Sequence, residues 1–274
     1  MPVISATHLV LLPSYNSGPR LEGVVAEALR HWQPVLAVID GSTDGSELPL
    51  RSLARREPGF SLLVLPRNSG KGAAVLAGLA EARDRGHTHA LVMDADGQHP
   101  ADRISGFMEV SRLNPEAMIL GRPIFGPEAP LKRLYGRKLT IGLTRLATLG
   151  AAIADPLCGF RVYPVQPLLA ALGPRRAGRG FDFDTEAAVR LFWAGVLPVN
   201  LPIPVRYFTR AEGGVSHFHY GRDNLILASM HARLIGELLL FRWPSVRRLR
   251  RRWRADGRGP LGGDGAPPRA GAAR

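Results

Sequence analysis

The sequence predicts an α/β fold built on a mainly parallel sheet, and three observations predict it. Short apolar runs bounded by turn residues alternate with longer helical patterns through the first half of the chain. Polar, glycine-rich segments fall at the carboxyl ends of those runs, where parallel sheets bind their ligands. With 274 residues and 45% hydrophobic content, the chain can bury a sizeable core as one large domain or two small ones.

The elements follow in order. Leu9–Leu12 is a first strand ending at Pro13, then the loop SYNSGPR and a helix from about Leu21 to His31. Val35–Ile39 is a second strand, followed by DGSTDGS (40–46). Leu62–Leu65 is a third, followed by PRNSGKG and an alanine-rich helix reaching about Arg85. Ala90–Met93 is a fourth and runs into DADGQHP; Ala117–Leu120 is a fifth and leads to GRP. Strands alternating with helices imply parallel pairing with helices on both faces of the sheet. The second half is less regular: PLKRLYGRK (130–138), DPLCGFRVYP (155–164), GFDFDTEAAVRLFWAG (180–195), then a proline-spaced strand LPIPVRYF (201–208). No internal repeat is present.

Charge is unevenly placed. Of the formal +13, residues 242–274 supply ten arginines against two aspartates, a net of +8. The segment FRWPSVRRLRRRWR (241–254) is basic and flanked by tryptophans, which suits an anionic membrane surface. Nucleic acid would offer the same phosphates, but no recognised nucleic-acid module accompanies the segment, so none is expected as a partner. The Gly/Pro/Ala-rich residues 257–274 read as a disordered tail. The lone Cys158 excludes an intramolecular disulfide, suits a reducing compartment and reads as a small buried hydrophobe. MPVISATHLVLLPSYN has no basic leader region, and no window reaches the 18 or so uncharged apolar residues of a membrane span; 225–241 is broken by His231, Arg233 and Glu237.

The chemistry concentrates at the strand ends. Asp94 and Asp96 crowd two acids two residues apart, followed by Gly97 and Gln98. Such a pair can hold a hard cation on phosphate oxygens; equally, acids are favoured where DADGQHPAD precedes a helix. Asp40 ends a buried strand and could accept from a nucleobase or ribose, while Asp44 is placed to cap the next helix. NSGKG lacks the glycine that a phosphate loop needs five residues earlier, where Leu65 stands, and no G-x-G-x-x-G follows the first strand.

PSYN, DGSTDGS, NSGKGAAV, DADGQHP, GRP and DPLCGFRVYP, in that order and spacing, resemble the inverting glycosyltransferases of family 2, which have the GT-A fold. Within that family the chain looks like the dolichyl- or polyprenyl-phosphate mannosyltransferase-like branch. RLYGRK, CGFRVYP, DFDTE and SHF further resemble glycosyltransferases found with bacterial aryl-polyene lipid pathways. The likeness covers about residues 8–235, leaving 236–256 as an amphipathic basic helix beside a membrane.

The resemblance implies that Asp94 lies against the donor's ribose or phosphate, and that Asp96 with Gln98 binds Mg²⁺ or Mn²⁺ on the diphosphate. Pro13, Tyr15, Asn16 and Asp40 would line the pocket of a GDP- or UDP-sugar, with Lys71 beside it. Arg122 and Arg161 would face phosphates or the acceptor's anionic group, and Lys132 and Arg133 would occupy the acceptor-facing loop. The family often has two acids before GS, whereas Ile39 stands first here, so UDP and GDP both stay open.

The expected activity is metal-dependent, inverting transfer of a sugar to a lipid-linked acceptor at the cytoplasmic face of the cell membrane. A lipid phosphate needs only positioning by arginines, whereas a hydroxyl acceptor needs a general base. Candidates for that base are Asp184, Asp155, Asp182, Glu186 and, after them, His217 and His219. A strand would put the acids at 182, 184 and 186 on one face; a helix would not. Transfer to a soluble or protein hydroxyl, nucleotidyl transfer, and non-catalytic membrane binding are the other readings. Nucleotidyl transfer would call for a glycine-rich basic loop after the first strand, and PSYNSGPR has only Arg20.

Overall fold

A computed structural model describes residues 1–126, 131–150, 152–176, 180–206 and 220–255, with backbone alone at 131–134, 174–176 and 220. Its strands are β1 (Val3–Ile4), β2 (His8–Ser14), β3 (Trp32–Gln33), β4 (Val35–Asp40), β5 (Phe60–Leu65), β6 (His89–Met93), β7 (Ala117–Phe125), β8 (Phe160–Pro164) and β9 (Leu197–Val205). The helices are α1 (Arg20–His31), α2 (Glu47–Arg56), α3 (Lys71–Asp84), α4 (Ile104–Leu113), α5 (Leu131–Ala147), α6 (Val165–Arg176), α7 (Phe183–Trp193), α8 (Tyr220–Glu237) and α9 (Trp243–Ala255).

Seven strands form one sheet in the order β5-β4-β2-β6-β8-β7-β9, while β1 and β3 pair separately. The apolar runs expected as strands are β2, β4, β5, β6 and β7. All seven residues of β2 and all six of β4 are buried, as parallel strands covered on both faces require. Alternate side chains serve opposite layers. Leu9 and Leu11 join α3, α6 and α7 on one face, and Val10 and Leu12 join α1 and α4 on the other.

One strand runs backwards. β8 inserts between β6 and β7, antiparallel to both, with Met93 opposite Phe160 and Leu120 opposite Arg161. Its reversal matters for the site. A parallel strand would carry residues 158 and 159 to the far edge; an antiparallel one returns them to the rim formed by the carboxyl ends of β2, β4 and β6. β9 also differs from expectation, starting at Leu197 and pairing with β7 from Ala117 to Phe125. Its prolines are tolerated because it is the edge strand.

The C-terminal elements correct another expectation. α8, a π turn at Leu238–Arg242, and α9 form one helical run, and Gly221–Ala255 includes a stretch long and apolar enough to cross a membrane by length and composition. Reading uncharged windows alone misses it, because a span tolerates a charge or two. Only α9, with six arginines, is the basic part. The tail at 257–274 lies outside the described residues.

Candidate active site

Three loops meet at the rim and are stitched to one another. Asn16 follows β2 in a left-handed conformation, φ 45°, and binds the loop after β4. Its amide donates to Ser42 Oγ at 3.0 Å, and its Oδ1 accepts from the Thr43 amide at 2.8 Å. Asp44 takes the Gly18 amide on one oxygen and the Ser46 amide on the other, at 2.9 and 3.0 Å. Ser46, not Asp44, is the N-cap of α2; Asp44 braces that residue from two positions earlier and ties it to the first loop. Pro13 is buried within β2, and Tyr15 is half-buried beside the stitch.

Asp40 corrects an expectation. It is 2% exposed, and its two oxygens accept the Ser69 and Gly70 amides at 2.9 and 2.7 Å. Its carboxylate therefore clasps the NSGKG loop instead of opening toward a nucleobase. That clasp presents Lys71 at the first position of α3.

Lys71 is the hub. Its Nζ lies 2.6 Å from Asp94 Oδ1 and 2.5 Å from Asp184 Oδ2. Burial works against the ammonium, yet Asp184 and then Asp94 outweigh it and hold its pKa above the usual lysine value. Burial pushes the Asp94 carboxyl up, but Lys71 and His99 prevail and keep it below its ordinary value. The Asp94 amide donates to the Gly159 carbonyl at 3.0 Å. A side chain at Gly159 would strike the Asp94 carboxylate, so that loop approaches the acid as only glycine permits.

Asp184 sits in the first turn of α7, with Asp182 as the N-cap residue and Glu186 one position beyond the Thr185 that follows it. The run is helical, so Asp182 and Glu186, four residues apart, share one face and Asp184 lies on another. Asp182 takes the Gly180 amide at 3.1 Å, and burial raises its pKa. Glu186 is buried between Arg190 and Arg233, at 2.7 and 2.8 Å, in a network that Arg190 extends to Glu237.

Arg161 is a second correction. It is 1% exposed and turned inward: Nε donates to the Cys158 carbonyl, Nη1 to Tyr163 Oη and to the Asp184 carbonyl. It positions Asp184 and the 158–159 loop and does not face a phosphate. Cys158 is buried, which pushes its thiol up to about 12. Asp155, a candidate base, already accepts from Arg137 Nη1 at 2.6 Å and from the Leu157 amide at 2.8 Å.

Asp96 begins the turn that Gly97 completes at φ 75°, taking the Gln98 amide on Oδ1 at 2.9 Å. Burial, then the negative charge of Asp94, raises its pKa to about 6. Among the described residues no three His, Cys, Asp or Glu side chains form a ready metal cage. A hard cation on a diphosphate needs only one or two protein oxygens. Asp96 fits that role: among the described residues its carboxylate has no ion pair of its own, the nearby ammonium is held by Asp94 and Asp184, and the Arg20 guanidinium donates to its backbone carbonyl at 3.3 Å. Beside it, His99 packs at 5.6 Å from the Phe160 ring, and burial lowers its pKa to about 4.

A cleft of about 350 Å³ opens alongside, lined by Arg122, Pro123, Phe125, Tyr135, Arg137, Lys138, Ile141, Ala154 and Asp155. Arg122 is the residue for which the family resemblance implied a phosphate or acceptor contact. Arg137 and Lys138 carry no role in the sequence reading; their position nearly two helical turns inside α5 was the available signal. Lys132 and Arg133 belong to the start of α5, where the side chains lie outside the described residues, as do His217 and His219.

The reversed strand, the stitched loops and the acid pair define a GT-A glycosyltransferase. The profile of glycosyl transferase family 2 matches residues 9–168, and the chain belongs to that family. It is 31% identical over 216 residues to a polyprenol monophosphomannose synthase of Mycolicibacterium smegmatis, covering 76% of this chain and 79% of that one. A dolichyl-phosphate beta-glucosyltransferase of Trichomonas vaginalis is 28% identical over 202 residues, 65% of this chain. This chain spans 58% of that relative's length. Among solved structures, the glucosyl-3-phosphoglycerate synthase of Mycobacterium tuberculosis bound to UDP superposes with a TM-score of 0.61 at 19% identity, covering 84% of this chain and 80% of that one. A mannosyltransferase of Pyrobaculum calidifontis in complex with GDP-Man and Mn²⁺ gives 0.55 at 17%, covering 90% and 75%. At these identities the structures establish the shared fold.

Proposed function

We propose that the enzyme transfers a sugar from a nucleotide-diphosphate sugar to a polyprenyl- or dolichyl-type lipid phosphate, with inversion at the anomeric carbon. The observation that carries this reading is the cleft beside Asp155, which joins Arg122, Arg137 and Lys138 to Phe125, Tyr135 and Ile141. Guanidinium and ammonium groups suit a phosphate, and the apolar lining suits the first carbons of an isoprenoid chain. The names of the relatives point the same way.

The donor's nucleotide would lie over the stitched loops at Pro13, Tyr15 and Asn16, with Asp94 toward the ribose or phosphate. Asp96 and Gln98 would hold Mg²⁺ or Mn²⁺, which supplies charge to the departing diphosphate. Lys71 keeps Asp94 ionised and fixed in place. The acceptor phosphate oxygen attacks C1 opposite the leaving group: the C1–O–P bond to the lipid forms as the bond to the nucleoside diphosphate breaks. The nucleophile is already ionised, so no proton must be removed. That agrees with Asp184 and Asp155 being engaged by Lys71 and Arg137. Transfer to a hydroxyl would need one of those carboxylates released. The expected place of work is the cytoplasmic face of the cell membrane.

The test is a transfer assay comparing a short-chain polyprenyl phosphate with the matching alcohol, each with GDP- and UDP-sugars. Release of nucleoside diphosphate with the phosphate acceptor alone, lost in Arg137→Ala, is the expected result. Turnover with the alcohol would overturn the phosphate reading.

A further inference from the structure

The helical run 220–255 is pinned to the domain along one face. Met230, Leu234, Leu238, Val246 and Trp253 are buried in the same core layer as α7. The Trp253 indole donates to the Pro198 carbonyl of β9 at 3.4 Å, and Arg190 of α7 holds Glu237 with two bonds at 3.0 and 2.9 Å. Crossing a bilayer would strip these contacts, from residue 230 to residue 253, and leave the core layer open.

The opposite side has a different character. Leu239, Leu240, Phe241 and Trp243 are 61, 74, 76 and 43% exposed, interrupted only by Arg242. They lie on and just after the π turn, whose wider winding fans neighbouring side chains away from the buried face. Four large apolar groups together on a surface mark an interaction site more than a solvated one. Pro244, Arg247, Arg248, Arg251 and Arg252 continue the exposed line along α9. Residues 242–255 carry seven arginines and no acid. An apolar, aromatic tip beside an arginine stripe matches the boundary between acyl chains and anionic headgroups. A nucleic acid or an acidic protein would satisfy the arginines and leave the tip in water.

We infer that residues 238–254 form an in-plane docking face for an anionic lipid surface, with the tip entering the headgroup boundary and the arginines meeting lipid phosphates. This goes beyond the transfer reading, since it rests on the surface alone and would hold for any acceptor.

The experiment is co-sedimentation of the full chain with phosphatidylcholine vesicles, with and without phosphatidylglycerol, in the absence of donor and acceptor. The anionic vesicles should bind at least about ten-fold more protein, and reversing Arg247 and Arg248 to Glu should remove that preference. Leu240→Asp with Phe241→Asp should lower binding about ten-fold while leaving the melting temperature unchanged. Binding unchanged in either double variant would overturn the docking face, as would the tip variant losing RNA binding instead of vesicle binding. Resistance of the bound protein to alkaline carbonate would mark a spanning helix and overturn the in-plane orientation. Transfer to a short-chain acceptor in free solution reads the proposed function separately, so failure of one leaves the other standing.

Discussion

Replacing Gly159 with alanine perturbs the site through a single methyl group. An added Cβ would stand 2.7 Å from even the farther carboxylate oxygen of Asp94, where ordinary contact begins at 3.4 Å. Backbone cannot yield easily on either side: the Asp94 amide donates to the Gly159 carbonyl, and β6 pairs with β8 immediately beyond. The nearer oxygen would stand 1.8 Å away, so the carboxylate must move by more than about 1 Å or rotate away, breaking its 2.6 Å pair with Lys71. A misplacement of that size in a positioning group costs about 10²-fold in rate, and overpacking costs about 1–3 kcal/mol of stability. The assay is kcat/KM for nucleoside diphosphate release, with the melting temperature measured alongside. Gly106→Ala in α4 is the control, because nothing lies within 4 Å of its added methyl. Wild-type kcat/KM in a folded Gly159→Ala enzyme would refute the claim that Asp94 must be held where it is.

Two further predictions concern buried charge. Lys71→Met leaves Asp94 and Asp184 facing each other without their ammonium. Removing one partner of a fully buried pair costs about 3–5 kcal/mol. The Asp94 side chain is 30% exposed, so about 2–3 kcal/mol is expected by urea denaturation, together with loss of nucleotide binding; a variant as stable as wild type would remove Lys71 as the hub. At the opposite rim, where the central strands β2 and β6 begin, His8 stacks on His89 at 4.4 Å and bonds Ser111 Oγ at 3.1 Å. Burial, then His89, Arg112 and His87, lowers its pKa to about 4. The unfolded chain binds this proton first, so stability is full above about pH 6.5 and falls as pH drops toward 4, by about 3 kcal/mol for this group. His8→Gln should flatten that slope in urea melts across the same range, and an unchanged slope would assign the loss to other groups.

Much of the fold could be read because β2, β4 and β6 are continuous apolar runs punctuated by Pro13, Gly41 and Gly97. β8 could not: FRVYP carries an arginine, and its antiparallel insertion is decided by where β6 and β7 leave a gap. The same contact explains Arg161. The family resemblance implied a phosphate or acceptor partner, whereas the pleat turns it inward to the Asp184 carbonyl. The acid pair at 94 and 96 was visible as local spacing. Its lysine partner was visible as a residue, but the bridge to Asp184 spans 113 positions and exists only in the folded chain. Asp40 shows the reverse case, where a strand-end acid in a ligand-like position serves the neighbouring loop. Burial at the end of a strand is common to both roles, and only the hydrogen-bond partners separate them.

The central claim is that the rim binds a nucleoside diphosphate through a metal held at Asp96. Isothermal titration of GDP and UDP, with and without Mn²⁺, on wild type and Asp96→Ala tests it most directly. One nucleotide should bind wild type only with the metal, and neither should bind the variant in that way. A ligand at about 100 Kd would also raise stability by about 2.7 kcal/mol, giving a second readout on the same samples. Metal-independent binding, or equal binding by Asp96→Ala, would contradict the account.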